Sequence, residues 1–341
     1  MILRIRSRDG MERVTVTDRS TATVATLCAL IESHLGVPAA VQTLSLDPNL
    51  LLPSKAQSPA LDPATPLSSL PIAHGSIVYL SPPHCDAASF DRDAAHAFQL
   101  YVADTLAFAV KRAGFLYGHV DQASHSVAID FVYEPPQQGS EDAAALFRDP
   151  DEEALVEAIA AGLGMRRVGF IFTQAVGRKA GTAEYTMSGR EVLQAAEMQA
   201  EGGIPEWVTA VVKLDVAEDG AADVHFEAFQ MSDICVRLFK EGWFVTEFGE
   251  DDDPRVSRMT KDVVVGGKDS REVDNDFFLV PVKIADHQGP LSSSFPIENR
   301  ITRVTLKALK NHLDRTKHLP FKQSSVPEGY QLLIESLAAA S

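Results

Sequence analysis

The sequence predicts a multidomain chain of mixed α+β and α/β class: an N-terminal β-grasp domain over residues 1–81, a middle α/β domain over 82–248 and a small, shortened C-terminal α/β region over 249–341. Three observations predict it. The first eighty residues order a hairpin, a helix, a short strand, a loop and a closing strand, which is the order of a β-grasp fold. Strand and helix patterns then alternate through residues 91–240, as when helices cover a mixed sheet. Between the two stands Ser81–Pro82–Pro83, a natural boundary. The length of 341 residues fits two or three domains, and 45% hydrophobic residues supply material for their cores.

The first domain opens on ILRIRSRDGMERVTV, two alternating runs around a turn at Asp9 and Gly10. A helix follows, with Ser20, Thr21 and Thr23 as capping oxygens. Val24, Leu27, Cys28, Ile31 and Leu35 share one face of it, and Gly36 and Pro38 end it. A strand over 41–46, a turn at Asp47, Pro48 and Asn49, a Pro/Ser/Ala loop over 53–66 and a last strand over 76–80 complete the domain.

In the middle domain, Asp91 caps a helix whose apolar stripe is Phe98, Val102, Leu106 and Ala109. Strands are expected over AGFLYGHV and 127–133, then a helix over 152–161 closed by Gly162, a strand over 167–173 and a helix over 188–200. Strands over 207–214 and 223–229 come next, then a helix from Ser232 that buries Ile234, Cys235, Leu238 and Phe239. Past residue 249 the pattern thins to strands over 263–265 and 277–284 and helices over 306–313 and 328–337.

Composition narrows the function. A formal net charge of −16 opposes binding to nucleic-acid phosphates. The acid concentrates in 141–157 and 247–253, read as solvated surface. The three cysteines, Cys28, Cys85 and Cys235, form no CxxC pair and suggest neither a disulfide framework nor a cysteine-built zinc site. No apolar run approaches the length of a membrane span, and MILRIRSRDG lacks a signal-peptide core, so a cytosolic or nuclear protein is expected. Gly266–Gly267–Lys268 lacks the first glycine and the hydroxyl of a phosphate loop and reads as a turn. His84 and Cys85 are adjacent, with no second ligand pair nearby, and read as boundary loop. His225 and Glu227 share the polar face of an alternating strand.

Longer phrases carry resemblances. TATVATLCALIESHLGVP, VQTLSL and TPLSSLPIAHGSIVYL resemble the helix, third strand and tail of ubiquitin-like domains. VKRAGFLYG, VAIDFVYEPPQ, RRVGFIFTQ and MSGREV resemble the MPN fold, the scaffold of the JAMM metalloproteases that remove ubiquitin. Active members of that family use a glutamate three residues before the first glycine, an HxH pair and an SxxD pair to hold one zinc and its water. The corresponding positions here read Lys111, Phe172 with Gln174, and Ser188 with Glu191. Phenylalanine and glutamine do not replace imidazoles as ligands, and a lysine is no base beside a cation. This resemblance implies a degenerate site without metal, cofactor or hydrolysis; the rival expectation is a metal-dependent deubiquitinase on the same scaffold.

Across all three regions the chain resembles the nuclear protein localization protein 4 homologues, the plant-type in particular. MILRIRSRDGMERV, AFAVKRAGFLYG, DVHFEAFQMSDICVRLFKEGWF, DNDFFLVPVKI, DHQGPL and FPIENR carry the likeness in order. The resemblance implies a non-catalytic adaptor of the AAA ATPase valosin-containing protein, partnered by ubiquitin fusion degradation protein 1. It implies recruitment of polyubiquitinated proteins for unfolding and proteasomal degradation, in cytoplasm and nucleus and at the periphery of the endoplasmic reticulum membrane. By analogy with related ubiquitin-like adaptors, Leu46, Asp47, Pro48 and Asn49 are expected to touch the ATPase. An extended ubiquitin segment is expected along Phe226, Phe229, Phe295, Pro296, Asn299 and Arg300, the alternative being that the strand phenylalanines are core. The chain departs from the family by lacking a basic helical segment between Leu80 and His84 and an apolar helical stretch after Phe321.

Overall fold

In ILRIR every second residue is apolar, so one pleat face of β1 (Ile2–Arg6) carries Leu3 and Ile5, both almost fully buried. A computed structural model of the chain describes all residues except 8–10, 36, 52–59, 82–84, 177–184, 217–221, 250–251, 266–267 and 290–341. The expected turn at Asp9 and Gly10 lies outside the described residues; beyond it β2 (Met11–Thr15) returns antiparallel, Met11 opposite Arg6. The amide of Thr26 donates to Oγ1 of Thr23 at 3.4 Å at the start of α1 (Val24–Leu35). Val24, Leu27, Cys28 and Ile31 are buried on its inner face, and Leu35 is half-buried. Gly36, expected to end the helix, lies outside the described residues.

The strand expected over 41–46 is shorter, β3 (Thr43–Ser45), because a 3-10 turn over Ala39–Val41 follows Pro38. Gln42 donates its side-chain amide to the carbonyls of Cys28 and Val37 at 2.9 and 2.7 Å, fixing the crossing from helix to strand. A further 3-10 turn, Pro48–Leu51, covers the expected turn, and β4 (Ile77–Ser81) closes the domain. The strand order is β2-β1-β4-β3, with β1 and β4 parallel at the centre and antiparallel edges. One helix over one such sheet is the β-grasp arrangement. Residues Met1–His84 form one compact unit, and Ser232–Gly242 group with it; residues 85–231 and those from Trp243 onward form the other.

The second unit starts with a strand the sequence does not announce, β5 (Ala87–Asp91), whose AASFD is small and only weakly apolar. The Asp91 carboxylate accepts from the Ala94 amide at 2.9 Å and starts α2 (Arg92–Leu100). Its expected stripe is only half right. Phe98 and Val102 are buried, but the helix widens into a π turn at Tyr101–Thr105. Ala107 (φ 48) and Phe108 (φ 51) then take left-handed backbone. That reversal leaves Leu106 half-buried and Ala109 exposed, and Phe108 enters the core instead.

Next come β6 (Ala113–Asp121), β7 (Ser126–Tyr133) and a small hairpin, β8 (Gln137–Gly139) with β9 (Ala144–Leu146). Asp149 caps α3 (Pro150–Gly162), which closes at Gly164 (φ 74) and not at Gly162, still helical. The chain continues through β10 (Arg166–Val176), α4 (Gly189–Gly202), β11 (Val208–Val216) and β12 (Ala222–Met231). Ser232 caps α5 (Asp233–Lys240), where Cys235 and Leu238 are buried but Ile234 and Phe239 only half so. The expected strand at 263–265 is the end of a longer β13 (Val256–Val265), paired with β14 (Lys268–Asp274); the connecting glycines lie outside the described residues. The expected strand over 277–284 is broken. Asp274 caps a 3-10 turn over Asn275–Phe278, which precedes β15 (Leu279–Pro281) and β16 (Lys283–His287). The helices expected over 306–313 and 328–337 lie outside the described residues.

The mixed sheet runs β15-β12-β11-β10-β6-β7-β5-β16, so two strands beyond residue 249 belong to it. β10 pairs parallel with β11, and β5 pairs parallel with both β7 and β16. Its central strands are buried on both faces, which is why VGFIF, residues 168–172, reads as a continuous apolar run. Val168 and Ile171 join Phe98, Val102 and Val127 in one core cluster. Phe170 packs at a tilt against Phe115 and Phe172, with 5.9 and 6.0 Å between ring centres. β15 and β16 stand at opposite ends of this order yet are separated by Val282 alone, whose amide donates to Ala228 at 2.9 Å. One short segment therefore carries both edges, and the sheet curls toward closure.

Candidate functional site

The five positions expected to form a degenerate metal site come together. Lys111 precedes β6, Phe172 and Gln174 lie on β10, and Ser188 and Glu191 begin α4. Ser188 and Glu191 form a capping box, each side chain accepting from the other's backbone amide, at 3.3 and 2.6 Å. Lys111 is set by its backbone. Its amide donates to the Ser140 carbonyl at 2.8 Å, and Gly139 packs so close that a Cβ there would fall 2.1 Å from the Lys111 carbonyl oxygen. Arg112 exchanges bonds with Thr173 of β10, its amide to Oγ1 and its carbonyl from the Thr173 amide, each at 2.9 Å.

The Lys111 ammonium donates to Oε1 of Glu191, and their side chains are only 12% and 3% exposed. Gln174 donates to Oε2 of Glu191 at 2.7 Å, the same oxygen that takes the Ser188 amide. The ammonium also stands 5.7 Å from the Phe172 ring centre. Tyr185 completes the surroundings; burial pushes its hydroxyl up to about 12, and the Glu191 and Asp142 charges push the same way. Both oxygens of the one carboxylate are thus engaged, and the positive charge comes from an ammonium. An ammonium offers no coordination position and activates no water. Among the described residues no group of three or more His, Cys, Asp or Glu is placed to hold a metal ion.

A second buried pair lies alongside, missed by sequence reasoning. Arg112 donates to Glu134 at 2.5 Å, and the Arg112 guanidinium sits 5.5 Å from the Tyr101 ring centre. The signal was present in a basic pair before one strand and a glutamate after the next, but pairing them required the register of β6 with β7.

The turn expected to meet the ATPase is anchored from both sides. Leu46 packs against the β-grasp core, Leu50 is buried, and the Leu50 amide closes onto the Asp47 carbonyl at 3.2 Å. Pro48 is exposed at its tip. On β12, Phe229 is buried, and Phe226 is half-buried with its ring edge-on to Phe90 at 5.6 Å. His225 and Glu227 lie on the polar face with Lys213, whose ammonium is 2.7 Å from Glu227. Phe295, Pro296, Asn299 and Arg300 lie outside the described residues.

These features define a class: a β-grasp domain followed by a mixed-sheet α/β domain whose polar cluster is an ion-paired lysine and glutamate. Residues 1–81 match the family model described as nuclear pore localisation protein NPL4, and residues 112–251 match that of the NPL4 family. The chain is 57% identical to an NPL4-like protein of Oryza sativa subsp. japonica over 415 aligned positions spanning all of both chains. It is 52% identical to NPL4-like protein 2 of Arabidopsis thaliana, covering 99% of each. It is also 35% identical to the nuclear protein localization protein 4 homolog of Dictyostelium discoideum, over 67% of this chain and 38% of that one. The chain belongs to the NPL4 family. The rice alignment has 415 positions and this chain 341 residues, so at least 74 positions have no residue here, in line with the missing segments expected from the sequence. A solved structure of a β-grasp-like domain of a hypothetical protein from Arabidopsis thaliana is 46% identical, covering 24% of this chain and 80% of that one, with a TM-score of 0.22.

Proposed function

We propose that this NPL4-family chain is a non-catalytic adaptor, which presents polyubiquitinated proteins to the AAA ATPase valosin-containing protein in partnership with ubiquitin fusion degradation protein 1. The observation that carries the non-catalytic reading is the Lys111–Glu191 pair. In an MPN-type hydrolase those two places supply a base and a metal ligand; here they neutralise one another. The β-grasp domain supplies the ATPase contact through Leu46, Asp47, Pro48 and Asn49. The second unit supplies the ubiquitin contact. There Phe295, Pro296, Asn299 and Arg300 are the proposed groove, with Phe226 at its margin; the burial of Phe229 favours a core role for that side chain. No helix among the described residues is long and apolar enough to cross a membrane. The family likeness supports a role in cytoplasm and nucleus with peripheral attachment at the endoplasmic reticulum.

The test is a pair of binding measurements with one chemical control. Purified chain is titrated with polyubiquitin and with the ATPase, and its metal content is measured. Binding to both without cleavage of the chains is the expected result. About one tightly held zinc per chain, lost on Glu191→Ala, together with chain cleavage, makes the protein a deubiquitinase instead. Binding to ubiquitin receptors but not to ubiquitin chains leaves only a ubiquitin mimic.

A further inference from the structure

Four adjacent strands each place one polar side chain in a continuous row. His119 of β6 bonds through Nδ1 to Oδ2 of Asp130 on β7 at 2.8 Å. The other oxygen, Oδ1, meets Nε2 of His287 on β16 at 3.0 Å. Nδ1 of His287 then meets the Ser89 hydroxyl on β5 at 2.9 Å. The Asp130 side chain is 2% exposed, so its charge is answered within the protein by two imidazoles. A neutral His287 satisfies both contacts at once, donating from Nε2 to the carboxylate and accepting the serine proton at Nδ1.

We propose that residues 283–289 are a detachable strap on the sheet edge, and that His287, gripped by Asp130 and Ser89, is its catch. The strap has almost no apolar hold of its own: Lys283, Ile284, Ala285 and Asp286 are exposed, and Ile284 leaves 42% of its surface in water. Its buried anchor is Val282, at the near end, where the amide is bonded to Ala228. At the far end the hold is polar. Besides His287, the Gly289 amide donates to Oδ2 of Asp91 at 2.6 Å. A Cβ on Gly289 would lie 2.8 Å from both Asp130 Oδ1 and Asp91 Oδ2, so only glycine lets the backbone come so near two carboxylates. Arg92 and Asp286 add a surface pair at 2.5 Å, both side chains more than 60% exposed, which contributes little. A segment with few apolar contacts and exposed backbone bonds opens at a lower free energy than the core strands.

The strap pivots at Val282 and releases at His287. Release uncovers the outer edge of β5 and frees about seven residues, roughly 23 Å of extended chain at ~3.3 Å per residue.

Hydrogen–deuterium exchange of the full chain tests this. His287→Ala is expected to speed exchange of the 283–289 peptide by at least about tenfold, as loss of its charge-assisted bond to Asp130 alone would, while peptides of β10 and β11 keep their rates. Ser89→Ala keeps the Asp130 bond and is expected to give a smaller rise in the same peptide; it also serves if the histidine variant folds poorly. An unchanged 283–289 peptide overturns the catch. A rise shared equally by β10 and β11 overturns detachability, because the segment would then open only with the whole sheet.

Discussion

Lys111 and Glu191, eighty residues apart in sequence, form a buried ion pair that ties the start of β6 to the first turn of α4. Removing one partner leaves the other charged in a site with little water. Lys111→Met is therefore expected to lower stability by about 3 kcal/mol, the low end for a broken buried pair, because Gln174 and the Ser188 amide still answer Glu191. The double variant Lys111→Met with Glu191→Gln is expected to recover most of the loss. Urea unfolding of both variants measures it; equal losses in the single and double variants would mean the pair is not coupled.

The capping box gives a smaller, separable effect. Ser188→Ala removes the oxygen that takes the Glu191 amide, and about 1 kcal/mol of stability should go with it. Ser188→Asp should hold that stability, since its carboxylate can cap and suits the positive end of the helix. The denaturation midpoints of the two variants decide this.

Titration of His119 gives a pH dependence with a defined sign. The hydrogen bond to Asp130 raises the His119 pKa, against an opposing effect of burial. A group raised in the folded state stabilises fully below its unfolded value of about 6.5, and that contribution disappears as pH rises through the folded value. Its side chain is 43% exposed, so the effect is screened and modest. Wild-type melting temperature should decline slightly more than that of His119→Gln between pH 6 and about 8. Parallel curves would remove the pair from the pH response.

Much of this architecture was legible in the sequence because its signals are local. Alternation in ILRIR, the apolar face from Val24 to Ile31, and the serines at 188 and 232 each fix an element within a few residues. Phe172, Gln174, Ser188 and Glu191 could be placed around Lys111 only through the resemblance to MPN proteins. What stayed hidden depends on distant register. β5 has a weak local pattern and exists as the partner of β7 and β16. The π turn and the left-handed Ala107 and Phe108 reassign the core from Ala109 to Phe108, which helical periodicity cannot foresee. Asp130 and His287 are 157 residues apart, and nothing near either announces the other.

The turn at Leu46–Asp47–Pro48–Asn49 allows the proposed ATPase contact to be tested apart from folding. Leu46 and Leu50 carry its contacts with the core, so changes at Asp47 and Asn49 should spare that packing. Asp47→Lys with Asn49→Lys replaces one negative charge by two positive ones and adds bulk beside the exposed Pro48. If the turn enters a cleft on the ATPase, affinity should fall by at least about tenfold, or ~1.4 kcal/mol. The melting temperature should hold within the ~0.5 kcal/mol usual for surface substitutions. Calorimetric titration against the isolated N-terminal domain of the ATPase, with polyubiquitin binding as the control, separates the outcomes. Loss of ATPase binding alone places the contact on this turn. Loss of both would indicate damaged folding, and unchanged affinity would move the contact to another face of the β-grasp domain.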